Sequence, residues 1–174
     1  QEEEEARVDD PLLQSIGLND CRNSLFERLY KQSKEDFRSI LHKQGRMHPA
    51  ISEFPNQTFY YREQLEPVPL PHQEECLPYA SAPAPQDNLD KLIQSRRMVF
   101  IPADAPDNLA YSEKTNINEA RIVATLLERI YRMTSGTFDA YKTVGVIVPY
   151  RNQIAMIRRE IARKGLPELA HISI

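Results

Sequence analysis

Cysteine is scarce in this 174-residue chain, and long apolar runs are missing from it. A domain of this size does not need disulfides, so we expect Cys21 and Cys76 to be unpaired thiols in a reducing compartment. No run approaches the roughly 20 consecutive apolar residues that span a bilayer. The chain opens on Gln1 and four glutamates, whereas a secretory signal is basic and then apolar. The four histidines stand apart, without the short spacing of a zinc site. We therefore expect a cytoplasmic protein without a membrane segment or a metal site.

Glycine is also scarce, and none of the five glycines precedes a lysine. The sequence therefore lacks the Gly-x-x-x-x-Gly-Lys-Ser/Thr loop that cradles nucleotide phosphates, and the chain alone is not a complete ATPase. The remaining composition is that of a globular domain, with 41% apolar and 27% charged residues. A net charge of −3 argues against a uniformly basic protein, so any nucleic-acid surface must be a local patch.

Apolar spacing predicts helices that alternate with strands. Ser24 and Asn116 each stand three residues before a glutamate, which is the pattern of a side chain that caps the first turn of a helix. Pro49 and Pro55 each suit the first turn of a helix. The predicted helices are 24–33, 87–96, 117–132 and one that follows residue 148 and ends at Gly165, and the predicted strands are 37–41, 98–101, 144–148 and 171–174. This alternation predicts an α/β fold, with a parallel sheet flanked by helices.

Residues 66–85 interrupt that alternation. They contain six of the 13 prolines and no glycine. Proline lacks the backbone N–H that helices and central strands use, so we expect a long excursion with neither element.

Two of the predicted strands are followed by arginine and glutamine. Gln44 and Arg46 follow the first predicted strand, and Arg151 and Gln153 follow the third. Ligands of open parallel sheets bind outside the carboxyl ends of strands, so these side chains are candidates for a binding site. An arginine there either presents several donors to a phosphate or pairs with a local carboxylate, and its position leaves both alternatives open.

The helix predicted after residue 148 is rich in positive charge. Its basic residues are Arg151, Arg158, Arg159, Arg163 and Lys164, against the single acid Glu160. The run is either a solvated helix face or a patch that follows a nucleic-acid backbone. Tyr150 stands beside Arg151, a pairing that suits stacking on a base.

Four segments, in chain order, resemble the motifs of one family. Residues 44–49 read Gln-Gly-Arg-Met-His-Pro, 116–120 read Asn-x-x-Glu-Ala, and 146–153 read Val-Ile-Val-Pro-Tyr-Arg-x-Gln. Residues 18–29 resemble the segment that follows a first motor lobe. Together, over residues 11–174, they resemble superfamily 1 helicases, in the branch typified by the nonsense-mediated-decay helicase.

The resemblance implies an incomplete RecA-like (P-loop NTPase-type) second helicase lobe at residues 37–174, with the excursion at 66–85. Residues 1–36 would be an acidic segment and a helix carried over from the region between the lobes. In the family an arginine, here Arg46, reaches the terminal phosphate of ATP, and Gln44 faces the same cleft. ATP and Mg²⁺ would be bound mainly by the first lobe of the same polypeptide, since this chain has no Asp-Glu pair for the metal.

The resemblance also implies contact with single-stranded nucleic acid, with DNA favoured over RNA. The residues that match the family's nucleic-acid motif are Pro149, Tyr150, Arg151 and Gln153. The chain departs from the family at Gly45, where tyrosine is usual, and at Val148, where threonine is common. A competing hypothesis is a non-catalytic α/β interaction domain that has lost motor activity.

Overall fold

The computed structural model describes residues 6–77, 79, 81–104 and 114–174. The acidic residues 1–5, which begin the predicted first segment, lie outside this part of the chain. Within it, the helices are α1 (Pro11–Ser15), α2 (Leu25–Gln32), α3 (Pro49–Thr58), α4 (Pro71–Glu74), α5 (Asn88–Ser95), α6 (Ile117–Met133) and α7 (Arg151–Ala162), and the strands are β1 (Lys43–Gln44) and β2 (Glu66–Pro67). Short 3-10 turns lie at Glu35–Phe37 and Pro167–His171. None of these described helices is long and apolar enough to cross a membrane.

The hydrophobic core lies between α6, α7 and the turn at Pro167–His171. Its apolar residues recur on one face of each helix, as a 3.6-residue period requires. The buried members are Ala120, Ala124, Leu127, Ile157, Ile161, Leu169 and Ile172. Tyr131 and Phe138 pack against this core and meet edge-on, with their ring centroids 5.1 Å apart. The C-terminal third of the chain thus has an apolar core of its own.

Two predicted helix starts are confirmed by the side chains that cap them. At α2, Ser24 Oγ accepts a hydrogen bond from the Glu27 N–H at 3.1 Å. At α6, Asn116 Oδ1 accepts from the N–H groups of Asn118 (2.9 Å) and Glu119 (3.1 Å). These bonds satisfy donors that the first turn of a helix leaves without an intrahelical partner.

An ion-pair cluster ties α5 to α6. Asp90, only 1% exposed, pairs with Arg132 and with Arg129, whose Nη1 lies 3.2 Å from Asp90 Oδ1. Asp87 caps α5 by accepting from the Asp90 N–H at 2.9 Å, and it pairs with Arg129 at 2.9 Å. The Asp90 N–H, helped by the charge of Arg129, lowers the pKa of the Asp87 carboxyl. The buried Asp90 carboxylate is therefore paired with two arginines, as the burial of a charge requires.

Most of the predicted sheet is missing from the described residues. The segments 37–41 and 98–101 form no ladder, and the other two predicted strands meet only in an isolated parallel bridge between Gly145 and Ser173. A strand needs a neighbour for its N–H and C=O groups, and apolar side chains of these segments stay exposed, 91% at Phe100. The fold is therefore helical with a small parallel sheet, β1 beside β2, which is consistent with the predicted α/β class.

The prediction that residues 66–85 form no helix is wrong, because α4 lies there, and β2 lies at the edge of a two-stranded sheet rather than in a central position. β2 lies there because the N–H groups of Glu66 and Val68 donate to carbonyls on or beside β1, at 2.7 and 3.0 Å. Pro67 lies between these two donors, where the ladder requires no N–H. Pro71 opens α4, since the first helical residue has no intrahelical use for its N–H.

A second correction concerns Pro55, which does not start a helix of its own. Helix α3 begins at Pro49 and continues through Pro55 to Thr58. The ring nitrogen Nδ1 of His48 accepts from the Ala50 N–H at 3.1 Å and caps its first turn. Pro55 offers no N–H to the preceding turn, so α3 continues with one hydrogen bond fewer.

Candidate functional site

The Arg46 loop, residues 44–48, leads from β1 into α3. Gln44 shapes this loop, because its Oε1 accepts from the N–H groups of Arg46 (3.0 Å) and Met47 (2.7 Å). Its Nε2 donates to the Met47 carbonyl at 2.8 Å. The amide that the resemblance assigns to the nucleotide cleft is thus the group that folds the loop.

Helix α4 holds the same loop from the other side. Gln73, only 3% exposed, donates through Nε2 to the carbonyls of Gln44 (3.0 Å) and Met47 (2.8 Å). His72 Nε2 lies 2.8 Å from the Gly45 carbonyl oxygen. Side chains from the proline-rich segment therefore fix the backbone on both sides of Arg46.

The Arg46 side chain itself is exposed, and its guanidinium has no hydrogen bond or ion pair with any described residue. Glu66, a carboxylate on the neighbouring strand β2, pairs with Lys43 instead. The Lys43 hydrogen bond, followed by its positive charge, lowers the pKa of the Glu66 carboxyl. Of the two alternatives that the sequence left open for Arg46, pairing with a local carboxylate is not found in this part of the chain.

Gly45 lies close to the segment that precedes α4. A Cβ atom at this position would lie 3.2 Å from Cδ1 of Leu70, the residue that precedes α4. Leu70 therefore occupies space that a larger side chain at position 45 would need. The departure from the family's tyrosine coincides with close packing of the α4 segment on the loop.

A second candidate site is a cleft of about 430 Å³ between the start of α6 and the segment that precedes α7. Tyr150, which is 47% exposed, lines it, and Lys114 Nζ lies 5.7 Å from the centroid of the Tyr150 ring. Arg151 is exposed beside it and has no ion pair with any described residue. Pro149 is exposed at the same edge. The cleft edge thus offers an aromatic face and a cation side by side.

Gln153 is buried behind this edge, with 3% of it exposed. Its Oε1 accepts from the Asn116 N–H (2.8 Å), and its Nε2 donates to the Asn116 carbonyl (2.9 Å) and to Glu119 Oε2 (3.3 Å). Glu119 therefore bonds to Gln153 rather than to the helix start, which corrects half of the capping box predicted from the sequence. Gln153 locks the start of α6 to α7.

The basic run on α7 is largely paired within the chain. Glu160, whose side chain is 7% exposed, receives Arg163 at 2.7 Å, with Arg159 at 3.8 Å and Arg121 at 3.9 Å. Lys164 pairs with Glu128 at 2.6 Å. The remaining member, Arg158, donates to the Ala170 carbonyl at 3.3 Å. Arg151 is thus the cation of this run that remains available at the cleft edge.

The two sites are separate in the described structure. The hydrogen bonds of residues 44–48 all end on residues 44–73 and do not reach the cleft at 114–153. Sequence reasoning missed Gln73 and Lys114, because no spacing relates either residue to a motif. A proline-rich composition predicts a linker and so gave no signal for α4.

Comparisons with known proteins find a matching family and several relatives. A family model described as an AAA domain matches residues 21–174. Helicase SEN1 of Saccharomyces cerevisiae is 29% identical over 140 residues, DNA polymerase alpha-associated DNA helicase A of Schizosaccharomyces pombe is 31% identical over 155, and the Regulator of nonsense transcripts 1 homolog of Arabidopsis thaliana is 30% identical over 142. These alignments cover 80%, 82% and 82% of this chain but 6%, 22% and 10% of the relatives. No solved structure matches.

The chain therefore spans less than a quarter of each of these relatives. The family match nevertheless covers most of its residues, and it includes both candidate sites. The resemblance read from the sequence motifs is thereby confirmed. This chain belongs to the AAA domain family, and it is a helicase-family domain related to the nonsense-mediated-decay type.

Proposed function

We propose that this chain is the second RecA-like lobe of an ATP-dependent helicase or translocase, at residues 37–174, preceded by an inter-lobe segment at 1–36. Its role is to supply Arg46 to ATP that is bound mainly by the first lobe of the same polypeptide. The observation that supports this proposal is the exposed Arg46 guanidinium, unpaired with any described residue, on a loop held by Gln44 and Gln73.

The chemistry of the loop fits a phosphate. A guanidinium is planar, permanently charged and rich in donors, so it binds phosphate oxygens through several hydrogen bonds. Bound ATP supplies the phosphoryl group, and Arg46 would stabilise the negative charge that develops on it during transfer. The described residues hold no cluster of three metal-ligating side chains, so in this proposal Mg²⁺ is held by the first lobe.

The cleft edge at Tyr150 suits single-stranded nucleic acid. Aromatic rings stack on bases of any sequence, and a neighbouring cation contacts the backbone phosphate. In this proposal Tyr150, Arg151 and Pro149 contact the strand, and Gln153 supports them by binding Asn116. Stacking and phosphate contacts accept both DNA and RNA, so the preference for DNA stays a prediction.

Substitution of Arg46 tests the catalytic part of the proposal. In the longer protein, Arg46→Ala should reduce ATP turnover by roughly 10³-fold or more, as loss of an arginine finger does. Arg62→Ala removes another exposed arginine, which packs on Tyr61, and should leave turnover unchanged. Normal turnover in Arg46→Ala would remove Arg46 from the mechanism and would favour the non-catalytic interaction domain.

A further inference from the structure

Helix α4 places two side chains on the Arg46 loop that no sequence motif assigns to it. We infer that Gln73, assisted by His72, is a positioning residue that holds Arg46 in the geometry for phosphate contact. The inference rests on the proposed function of Arg46. It gives the proline-rich segment, which composition alone predicts to be a linker, a role in that function.

The first observation is how Gln73 uses its amide. Its Nε2 donates to the carbonyls of Gln44 and Met47, the residues that bracket the turn containing Arg46. Its Oε1 accepts from the Leu70 N–H at 3.3 Å, so both ends of the amide are bonded. Because Gln73 is 97% buried by this arrangement, its two donors are fixed in direction. One side chain therefore sets the distance between the two ends of the turn.

The second observation is that the contacts on the loop leave the Arg46 side chain exposed. His72 lies 2.8 Å from the Gly45 carbonyl, and Gln44 closes the turn from inside. These contacts all hold backbone atoms and leave the Arg46 guanidinium exposed. Catalytic groups must be placed closely, since a displacement of about 1 Å can cost about 10²-fold in rate. A clamp that fixes the Arg46 backbone without touching its side chain meets that need.

The third observation separates positioning from folding. The Gln44 carbonyl also accepts from the Val68 N–H at 3.0 Å, and the Met47 carbonyl also accepts from Gln44 Nε2. Loss of Gln73 would therefore leave each carbonyl with one donor, and neither would become an unsatisfied buried group. The pairing of β1 with β2 would persist. Arg46 placement should thus depend on Gln73 more strongly than global stability does.

Gly45 belongs to the same arrangement. Leu70 lies so close that a Cβ at position 45 would meet it at 3.2 Å. The absence of a side chain at position 45 leaves room for the α4 segment beside the loop, where His72 and Gln73 make their bonds. The glycine and the α4 clamp are therefore structurally coupled.

The test uses the longer helicase-family protein and an isosteric change. Gln73→Glu replaces the donating Nε2 by an oxygen that repels the two carbonyls. Gln94→Glu is the matched control, because Gln94 Nε2 also donates to a backbone carbonyl, that of Pro83 at 2.9 Å, away from the loop. We expect Gln73→Glu to lower kcat at saturating ATP by about 10²-fold, as misplacement of a catalytic group does. Gln94→Glu should leave kcat and the unfolding midpoint unchanged, whereas Gln73→Glu, which buries a carboxylate against two carbonyls, should also lower the midpoint. Gln73→Met removes the two donors without adding a charge, so it should lower kcat while its unfolding midpoint stays close to the unsubstituted protein's.

A double-mutant cycle with Arg46→Ala shows whether Gln73 acts through Arg46. In the Arg46→Ala background, Gln73→Glu should lower turnover no further. If it lowers turnover equally in both backgrounds, or behaves like Gln94→Glu, the positioning role is overturned while the role of Arg46 stands. If Arg46→Ala itself retains normal turnover, the proposed function fails, and the positioning role fails with it.

Amide hydrogen exchange gives a readout that does not depend on activity. The N–H groups of Arg46 and Met47 are bonded to Gln44 Oε1, inside the turn that Gln73 spans. Gln73→Glu should accelerate their exchange, and Gln94→Glu should not. Unchanged exchange in Gln73→Glu would overturn the clamp, whatever the result for turnover.

Discussion

The described residues before 105 and those after 113 are organised by different forces. In the later part, Leu127 and Ile157 are 2% and 1% exposed, inside one apolar core. In the earlier part, Phe37 is 80% exposed and Leu41 is 84% exposed. The buried residues there are mostly polar, namely Ser52, Gln73 and Asp90, beside the apolar Val8. Hydrogen bonds and ion pairs order the first region, whereas apolar burial orders the second.

Both regions nevertheless position their candidate site with a buried glutamine. Gln73 fixes the Arg46 loop, and Gln153 fixes the start of α6 behind Tyr150. Each side chain is 3% exposed and bonds mainly to backbone atoms. A buried amide is costly unless all its bonds are made, so it specifies one local geometry. The exposed side chains of Arg46 and Tyr150 are thereby held without a hydrogen bond from either glutamine side chain.

The largest expected effect is on stability, and it tests the contrast in packing between the two regions. Leu127→Ala in the C-terminal core should destabilise the chain by about 2–5 kcal/mol, through lost burial and the cavity it leaves. Phe37→Ala should change stability by less than about 0.5 kcal/mol, as surface substitutions usually do. Denaturant unfolding of the 174-residue chain measures both. A comparable loss in Phe37→Ala would mean that the first region packs in solution and that the contrast is wrong.

A smaller effect, on oligonucleotide binding, tests whether Arg151, which has no ion pair with any described residue, and the paired Arg163 of the basic run differ. Arg151→Ala should reduce the salt dependence of binding to a labelled single-stranded oligonucleotide by about 0.7 in the logarithmic slope, the value for one phosphate contact. Arg163→Ala should reduce it less, because Arg163 is already paired with Glu160. Titrations at several salt concentrations measure the slopes. The opposite order would show that the ion pairs open on binding.

The smallest effect concerns the ion pair beside the Arg46 loop. The pKa of Glu66 is lowered in the folded chain by Lys43, so the pair stabilises the fold above the unfolded pKa. That contribution is lost as the pH falls through the lowered folded pKa. An NMR titration should give Glu66 a lower midpoint than an unpaired glutamate, and Lys43→Gln should raise it. An unchanged midpoint in Lys43→Gln would mean that Lys43 is not the cause.

Local signals predicted the local structure well. The caps Ser24 and Asn116 mark the starts of α2 and α6, because a capping bond depends on residues three positions apart. The motif around Arg46 predicted an exposed arginine after a strand, and the family match confirms the resemblance that the motif suggested. Helix starts and family motifs are therefore readable from one sequence.

Long-range partners could not be predicted in the same way. Gln73 lies 29 positions from Gln44, and Gln153 lies 37 positions from Asn116, so neither pairing leaves a periodic signal. The predicted strands 37–41 and 98–101 form no ladder for a related reason, since apolar runs indicate burial but do not supply a neighbouring strand. The helix in the proline-rich segment was missed because composition does not reveal that Pro71 stands in a first turn, where a helix needs no N–H.

The central claim is that Arg46 and Tyr150 serve two separate sites with two chemistries. The most direct test measures ATP turnover and oligonucleotide binding side by side, in the longer protein, for Arg46→Ala and Tyr150→Ala. We predict that Arg46→Ala lowers turnover by roughly 10³-fold and leaves oligonucleotide affinity unchanged. Tyr150→Ala should weaken oligonucleotide binding by about 1–3 kcal/mol, the value of one stacked base, and should spare turnover at saturating oligonucleotide. Equal loss of both activities in both variants would contradict the claim.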